Sequence, residues 1–274
     1  MSTQPNGRTH TRLTGTADYD EATFWDEKFA NNQDVGEWLN SGDAIIAAAM
    51  SDLDHRGPVQ ENRPKVLHLG PGISKLGTKL RDSLITRGWA GNGIVNADFS
   101  TEAVRLGKIS EREKPPSAAM HWVHVDLRSW TDVAGSLGPF APFEIILDKS
   151  TSDAIATSGP ATFSSAEPPH NNNNNNNNDN NHTICPTVRE ILDVHGNISL
   201  SPVELLALHL VPVTEKGTVW VTLSYSSTRF DNLPHLEAYW TVISRTSLKA
   251  PQGRTSSFAY APDVSHWLYV LRRK

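Results

Sequence analysis

Two glycines and three aspartates stand where they could do chemistry together. Gly70 and Gly72 follow the apolar fragment KVLHL (65–69), while Asp98 closes GIVNAD (93–98), Asp126 closes HWVHVD (121–126) and Asp148 closes FEIILD (143–148). Glycines carry no Cβ, so a backbone can come close to a ligand, and a helix that begins just after them offers unpaired amide groups. An acid ending the second strand can accept both hydroxyls of a ribose, and one ending the third can accept an exocyclic amine. Together these groups describe a site for an adenosine-containing cofactor. Each also has a plainer reading: Asp98 and Asp126 as strand-end caps, Asp148 with Lys149 as a structural ion pair.

Such residues meet only if the elements between them bring the strand ends to one rim. The four apolar runs above read as short buried strands. After the glycine turn, Leu76, Leu80 and Leu84 recur at helical spacing, with Gly88 placed as a C-terminal cap. Ser100 is placed to N-cap the helix TEAVRLGKISERE, and Ser201-Pro202-Val203-Glu204 has the Ser and Glu of a capping box with proline at the first helical position. GTVWVTLSY (217–225), WTVISRTSL (240–248) and SHWLYVLRR (265–273) bring the strands to seven. Strands joined by helix-length connections form parallel units covered on both faces, so the expected class is α/β, doubly wound. In such sheets ligands sit beyond the carboxyl ends of the strands, where the four informative ends lie.

Bulk properties agree. The chain has 274 residues, 38% of them hydrophobic, and a formal charge of -5, which gives no general pull toward nucleic acid or anionic membranes. One cysteine, Cys185, excludes an intrachain disulfide and a cysteine-built zinc site. His121, His124, His209 and His266 lie in apolar segments without the spacing of metal ligands. No apolar run reaches the roughly 20 residues of a membrane span, and MSTQPNGRTHTR has no signal-peptide core. The expected compartment is the cytoplasm or the nucleus, where the sequons at Asn181 and Asn197 go unused. Residues 1–18 read as a disordered tail. Residues 157–183, with their asparagine run, read as a low-complexity insertion in one domain spanning 19–274.

The identity of the cofactor turns on the glycine loop. A pyrophosphate wants a third glycine, but Lys75 stands in that position and Gly77 follows two residues later. A nicotinamide oxidoreductase is therefore the weaker reading. S-adenosylmethionine carries no phosphate and needs only a looser turn around its methionine part.

The residues also carry a family resemblance. VLHLGPGISKLG resembles the first motif of class I S-adenosylmethionine-dependent methyltransferases, in the form found in the methyltransferase-like family that includes lysine and N-terminal methyltransferases of translation elongation factor 1A. IVNADFSTEAV looks like that family's second-strand motif, and MHWVHVDLRSW is similar to its third. ILDKSTSDAI resembles its Asp-Lys-Gly-Thr-Leu-Asp-Ala motif. FWDEKFA with Glu37-Trp38, VTLSYSSTRF and the terminal WLYVLRRK extend the likeness over residues 19–274. The resemblance implies a Rossmann-like seven-stranded sheet with its last strand antiparallel, and S-adenosyl-L-methionine as cofactor. Trp25, His68, Gly70, Gly72, Ser74, Asp98, Phe99, Ser100, Asp126, Leu127 and Asp148 are then the cofactor-binding residues. Asp148 and Asp153 would shape the acceptor site, with Ser150 and Thr151 as hydrogen-bond partners. Two positions depart from the pattern: His68 stands where an acid is common in the wider class, and Pro71 replaces the cysteine between the glycines.

What the resemblance implies about function is methyl transfer to a protein lysine or N-terminal amine, with a protein as partner. A lysine acceptor must first lose a proton; moving its pKa from about 10.4 to near 7 corresponds to roughly 4 to 5 kcal/mol. The alternatives are a small-molecule methyltransferase and a catalytically silent scaffold of the same fold.

Overall fold

A computed structural model describes residues 18–31, 38–56, 63–165, 184–251 and 264–274. The expected N-terminal tail (all but residue 18), Glu37, the asparagine run and the sequon at Asn181 lie outside the described residues. In chain order the first half contains α1 (Ala22–Ala30), α2 (Asp43–Arg56), β1 (Val66–Leu69), α3 (Leu76–Thr86), β2 (Ile94–Asp98), α4 (Thr101–Glu111), β3 (His121–His124), α5 (Trp130–Leu137) and β4 (Phe143–Lys149). The second half contains α6 (Thr151–Ile155), β5 (Ala161–Ser164), α7 (Pro186–His195), β6 (Asn197–Leu200), α8 (Pro202–Leu210), β7 (Thr214–Ser224), α9 (Pro234–Tyr239), β8 (Trp240–Lys249) and β9 (Ser265–Arg273).

Seven strands form one sheet in the order β3-β2-β1-β4-β7-β9-β8. The first five are parallel, and β9 runs antiparallel between β7 and β8. The strand expected to be antiparallel, the last in the chain, is β9. Strand order reverses between β1 and β4, so the connections leave in opposite directions there and open a crevice beyond their carboxyl ends.

Alternation along the strands divides the core in two. Val66, Ile145, Val219 and Val221 face α2 and α3 through Ile45, Ala49, Leu53, Leu76, Leu80 and Leu84. Leu67, Ile146 and Trp220 face α8 through Val203, Leu206 and Leu210. Each of the Val, Leu and Ile side chains here, when fully buried, contributes about 1.5 to 3 kcal/mol, so a strand holding both faces is fixed in register. The expected caps are in place. Ser100 accepts from the Ala103 N–H, Ser201 and Glu204 close a capping box, and Gly88, at φ 78°, terminates α3.

One expectation needs correction. The sequence pattern puts residues 157–165 in the disordered insertion, yet β5 lies there, paired antiparallel with β6. Cys185, Val188, Leu192, Ile198 and Leu200 bury a third small cluster, against which Phe163 packs. ATFS has only one large apolar side chain, so its strand is set by a partner distant in sequence rather than by its own pattern.

Candidate functional site

Beyond β1 the chain turns through Gly70 and Gly72, both left-handed at φ 50°. L-residues avoid that region, and a Cβ would be crowded as well. On Gly70 it would clash with the Thr151 side chain; on Gly72 it would lie 3.0 Å from the Phe29 ring. The Gly70 N–H donates to the Ala97 carbonyl at 2.8 Å, which ties the loop to β2. The Gly72 N–H then donates to Asp98 Oδ2 at 2.8 Å, and the Ser100 N–H to Asp98 Oδ1 at 2.9 Å. Asp98 therefore holds the glycine loop and the start of α4 while lining a cavity of about 310 Å³. Burial raises its carboxyl pKa to about 6 against the pull of the two amides.

The cavity extends from this loop to the β4–α6 turn. Its far wall has Tyr19, Trp25, Phe29 and Trp38, whose rings pack at centroid separations of 5.4 to 5.9 Å. The floor has Gly70, Gly72, His68 and Ser74. His68 is buried, with Nδ1 2.9 Å from Asn96 Oδ1. Ser74 Oγ accepts from the Leu76 N–H at 3.2 Å and steadies the start of α3. Trp38 Nε1 is buried with no partner among the described residues.

A smaller cavity of about 40 Å³ adjoins it at Gly70, Phe99 and Thr151 and is lined by Asp126, Leu127 and Arg128. Arg128 Nε and Nη2 grip Asp126 at 3.0 and 2.9 Å, and the Arg128 N–H donates to it at 2.9 Å. Burial pushes the Asp126 carboxyl up, but these bonds outweigh it and hold the group below its usual range. A carboxylate offers about four lone-pair sites. Three are taken here, so one acceptor position remains for an exocyclic amine.

The opposite end is built by β4, α6 and β7. Ser150, at φ 68°, turns the chain so that Lys149, Thr151 and Asp153 reach the cavity. Asp153 accepts from Ser150 Oγ, Ser224 Oγ and the Tyr225 N–H at 3.1, 2.6 and 3.0 Å. It also pairs with Arg229, whose Nη2 lies at 2.6 Å. Tyr225 lines the same end; burial first, then the Asp153 charge, raise its hydroxyl pKa.

Two expected site residues take other work. Asp148 does not line the cavity. It is fully buried, accepting from the Thr151 and Ser152 N–H groups at 2.8 and 3.2 Å and from Thr222 Oγ1 at 3.3 Å, and burial raises its pKa to about 6. It caps α6. Ser100 spends its hydroxyl on capping α4 and on Asp26 Oδ1, at 2.6 Å. Sequence reasoning does not single out Tyr19, Asp26 or Arg229 as site residues. Arg229 lies in the VTLSYSSTRF stretch, and only its pairing with Asp153 reveals a role. His209 and His124 bond to the Leu127 and Phe99 carbonyls at 2.9 and 3.0 Å, and no metal-binding cluster exists among the described residues.

No family model matches the chain, and no curated relative matches it. Solved structures do. The N-methyltransferase NodS from Bradyrhizobium japonicum WM9, in complex with S-adenosyl-L-homocysteine, is similar over 92% of this chain and 97% of its own, at 10% identity and TM-score 0.50. A protein described for conversion of a disulfide bond into a thioacetal group during echinomycin biosynthesis is similar over 93% of both chains, at 15% identity and TM-score 0.50. No helix among the described residues is long and apolar enough to cross a membrane. The architecture is the Rossmann-like fold of S-adenosylmethionine-dependent methyltransferases.

Proposed function

We propose that this chain is an S-adenosylmethionine-dependent methyltransferase whose acceptor is a protein amine, a lysine side chain or an N-terminus. One observation carries the reading: the left-handed Gly70–Gly72 loop, pinned by Asp98, forms the floor of a cavity in the range of about 300 to 1,000 Å³ typical of ligand sites. The residues fit the cofactor. Asp98 supplies a buried acceptor for ribose hydroxyls, Asp126 keeps one site for an adenine amine, and Trp38 Nε1 is a buried donor still to be satisfied. An aromatic wall also suits a sulfonium charge.

S-adenosylmethionine, when bound, supplies an electrophilic methyl group. The chain's own part is to align the acceptor and exclude water. Tyr19, Trp25, Phe29 and Trp38 close one side. Asp153 is committed to Arg229 and three further donors, so it orients the acceptor end rather than taking a proton. The acceptor amine enters in its neutral form.

The narrowest form of the proposal is a translation elongation factor as substrate, in the cytoplasm or nucleus, without nucleic acid or membrane as partner. A small-molecule acceptor bearing an anionic group is the second reading, favoured by Lys149 at the cavity wall, the Arg229 charge there being matched by Asp153. Incubating the protein with methyl-labelled cofactor and a proteome lysate, followed by mass spectrometry, tests the two. Label in protein amines supports the first; label only in the small-molecule fraction supports the second.

A further inference from the structure

Asp26 has no part in the cavity wall, yet it joins two elements that form the site. It lies on α1, between the cavity residues Trp25 and Phe29, and its carboxylate reaches across to the start of α4. Oδ1 accepts from Ser100 Oγ at 2.6 Å and from the Glu102 N–H at 3.0 Å, while Oδ2 accepts from Thr101 Oγ1 at 3.2 Å. The α4 N-terminus is therefore capped twice, by its own Ser100 and by a carboxylate from another helix, which the helix dipole also favours. Burial works against the charge, but these three bonds, with Ser100 first, hold the carboxyl below its ordinary range.

Alone, α1 could not stand. It has nine residues, no side-chain N-cap and only Phe29 buried, whereas isolated helices shorter than about 12 to 15 residues are marginal in water. Its attachments decide where it rests. In that place Phe29 covers Gly72, and Trp25 closes the cavity against Tyr19 and Trp38.

We propose that Asp26 is a positioning residue, a latch that clips the aromatic helix α1 over the glycine loop and thereby sets how fast the cofactor leaves. The proposal rests on the cofactor reading under Proposed function. When the latch is closed, α1 roofs the loop; when it opens, Trp25 and Phe29 lift together and free the cavity. The same bonds tie the roof to the segment that follows Asp98, so cofactor contact and closure share one piece of backbone.

Two measurements test it. The first needs no ligand: backbone hydrogen exchange in Asp26→Ala, with Asp26→Asn as the conservative variant, since asparagine keeps an oxygen for Ser100 and Glu102. Exchange across α1 should rise at least tenfold in Asp26→Ala, less in Asp26→Asn, while α3 and β1 stay unchanged. Unchanged α1 exchange overturns the latch. The second is stopped-flow tryptophan fluorescence of S-adenosylhomocysteine release. Dissociation should quicken at least tenfold in Asp26→Ala, with the association rate within about threefold and partial return in Asp26→Asn. A looser α1 with an unaltered dissociation rate overturns the gate while leaving the methyltransferase reading intact. If the unmodified protein shows no binding even at millimolar S-adenosylhomocysteine, the cofactor reading fails and the gate with it.

Discussion

Asp98 and Asp148 close two parallel runs that flank β1, both are buried, both accept two backbone N–H bonds, and burial raises both carboxyl groups to about 6. Only Asp98 meets the cavity. The difference is one residue of register: Leu69 pairs with Ala97 on one side and with Asp148 on the other. Asp98 therefore lies one step beyond the paired level, while Asp148 lies within it. Because side chains alternate between faces, that single step exchanges a ligand-facing acid for an internal one, and Lys149 takes the cavity position on β4. The turns differ too. Beside Asp98 the left-handed steps are glycines, whereas beside Asp148 the step is Ser150.

The most damaging way to probe this contrast is at the glycine loop. Gly72→Val places a branched side chain at φ 50° and against Phe29, so S-adenosylhomocysteine affinity should fall more than about a hundredfold with the sheet intact. Titration calorimetry, with near-ultraviolet circular dichroism to verify packing, checks this. Near-normal binding would make the turn purely structural.

Next comes the pair itself. Asp98→Ala should cost about 1.5 to 3 kcal/mol of cofactor affinity, the scale of hydrogen bonds to a charged group. Asp148→Asn, which keeps the oxygen that caps α6, should change affinity less than about twofold. Equal losses in the two variants would erase the distinction between ligand-facing and internal acid.

Stability against pH sharpens it further. Folded Asp148 holds its proton up to about pH 6, and the unfolded carboxyl releases it near 3.8. The native state thus binds more protons between these values, and stability contributed by this group falls as pH rises through the window. Asp148→Asn should therefore flatten the fall, leaving the share due to Asp98, and stabilise the protein at pH 7 by on the order of 1 to 3 kcal/mol. Urea titrations at pH 4.5 and pH 7 measure it; a variant less stable at pH 7 than the parent contradicts the sign.

The smallest effect is expected at Ser150. Ser150→Gly relieves the left-handed backbone but gives up the 3.1 Å bond to Asp153 and frees the unfolded chain, so stability should rise by only about 0.5 kcal/mol. A loss above about 1 kcal/mol would show that the hydroxyl matters more than the turn.

Much of this molecule is legible in its residues alone. The seven strands, the Ser100 cap, the Ser201–Glu204 box and the glycine loop follow from local rules, because apolar alternation, caps and left-handed glycines act over a few residues. Pairing is not local. Whether Asp148 faces the cavity depends on how β4 aligns with β1, a strand far from it in sequence. β5 is a strand because β6 returns to meet it. Asp26 matters because α1 folds back over α4, and Arg229 because the turn after β7 brings it to Asp153. The sequence by itself determined which residues could turn, cap or bury. Tertiary structure alone decided which acids face the ligand and which hold the scaffold, since one step of register reverses a side chain's direction and no local pattern records that step.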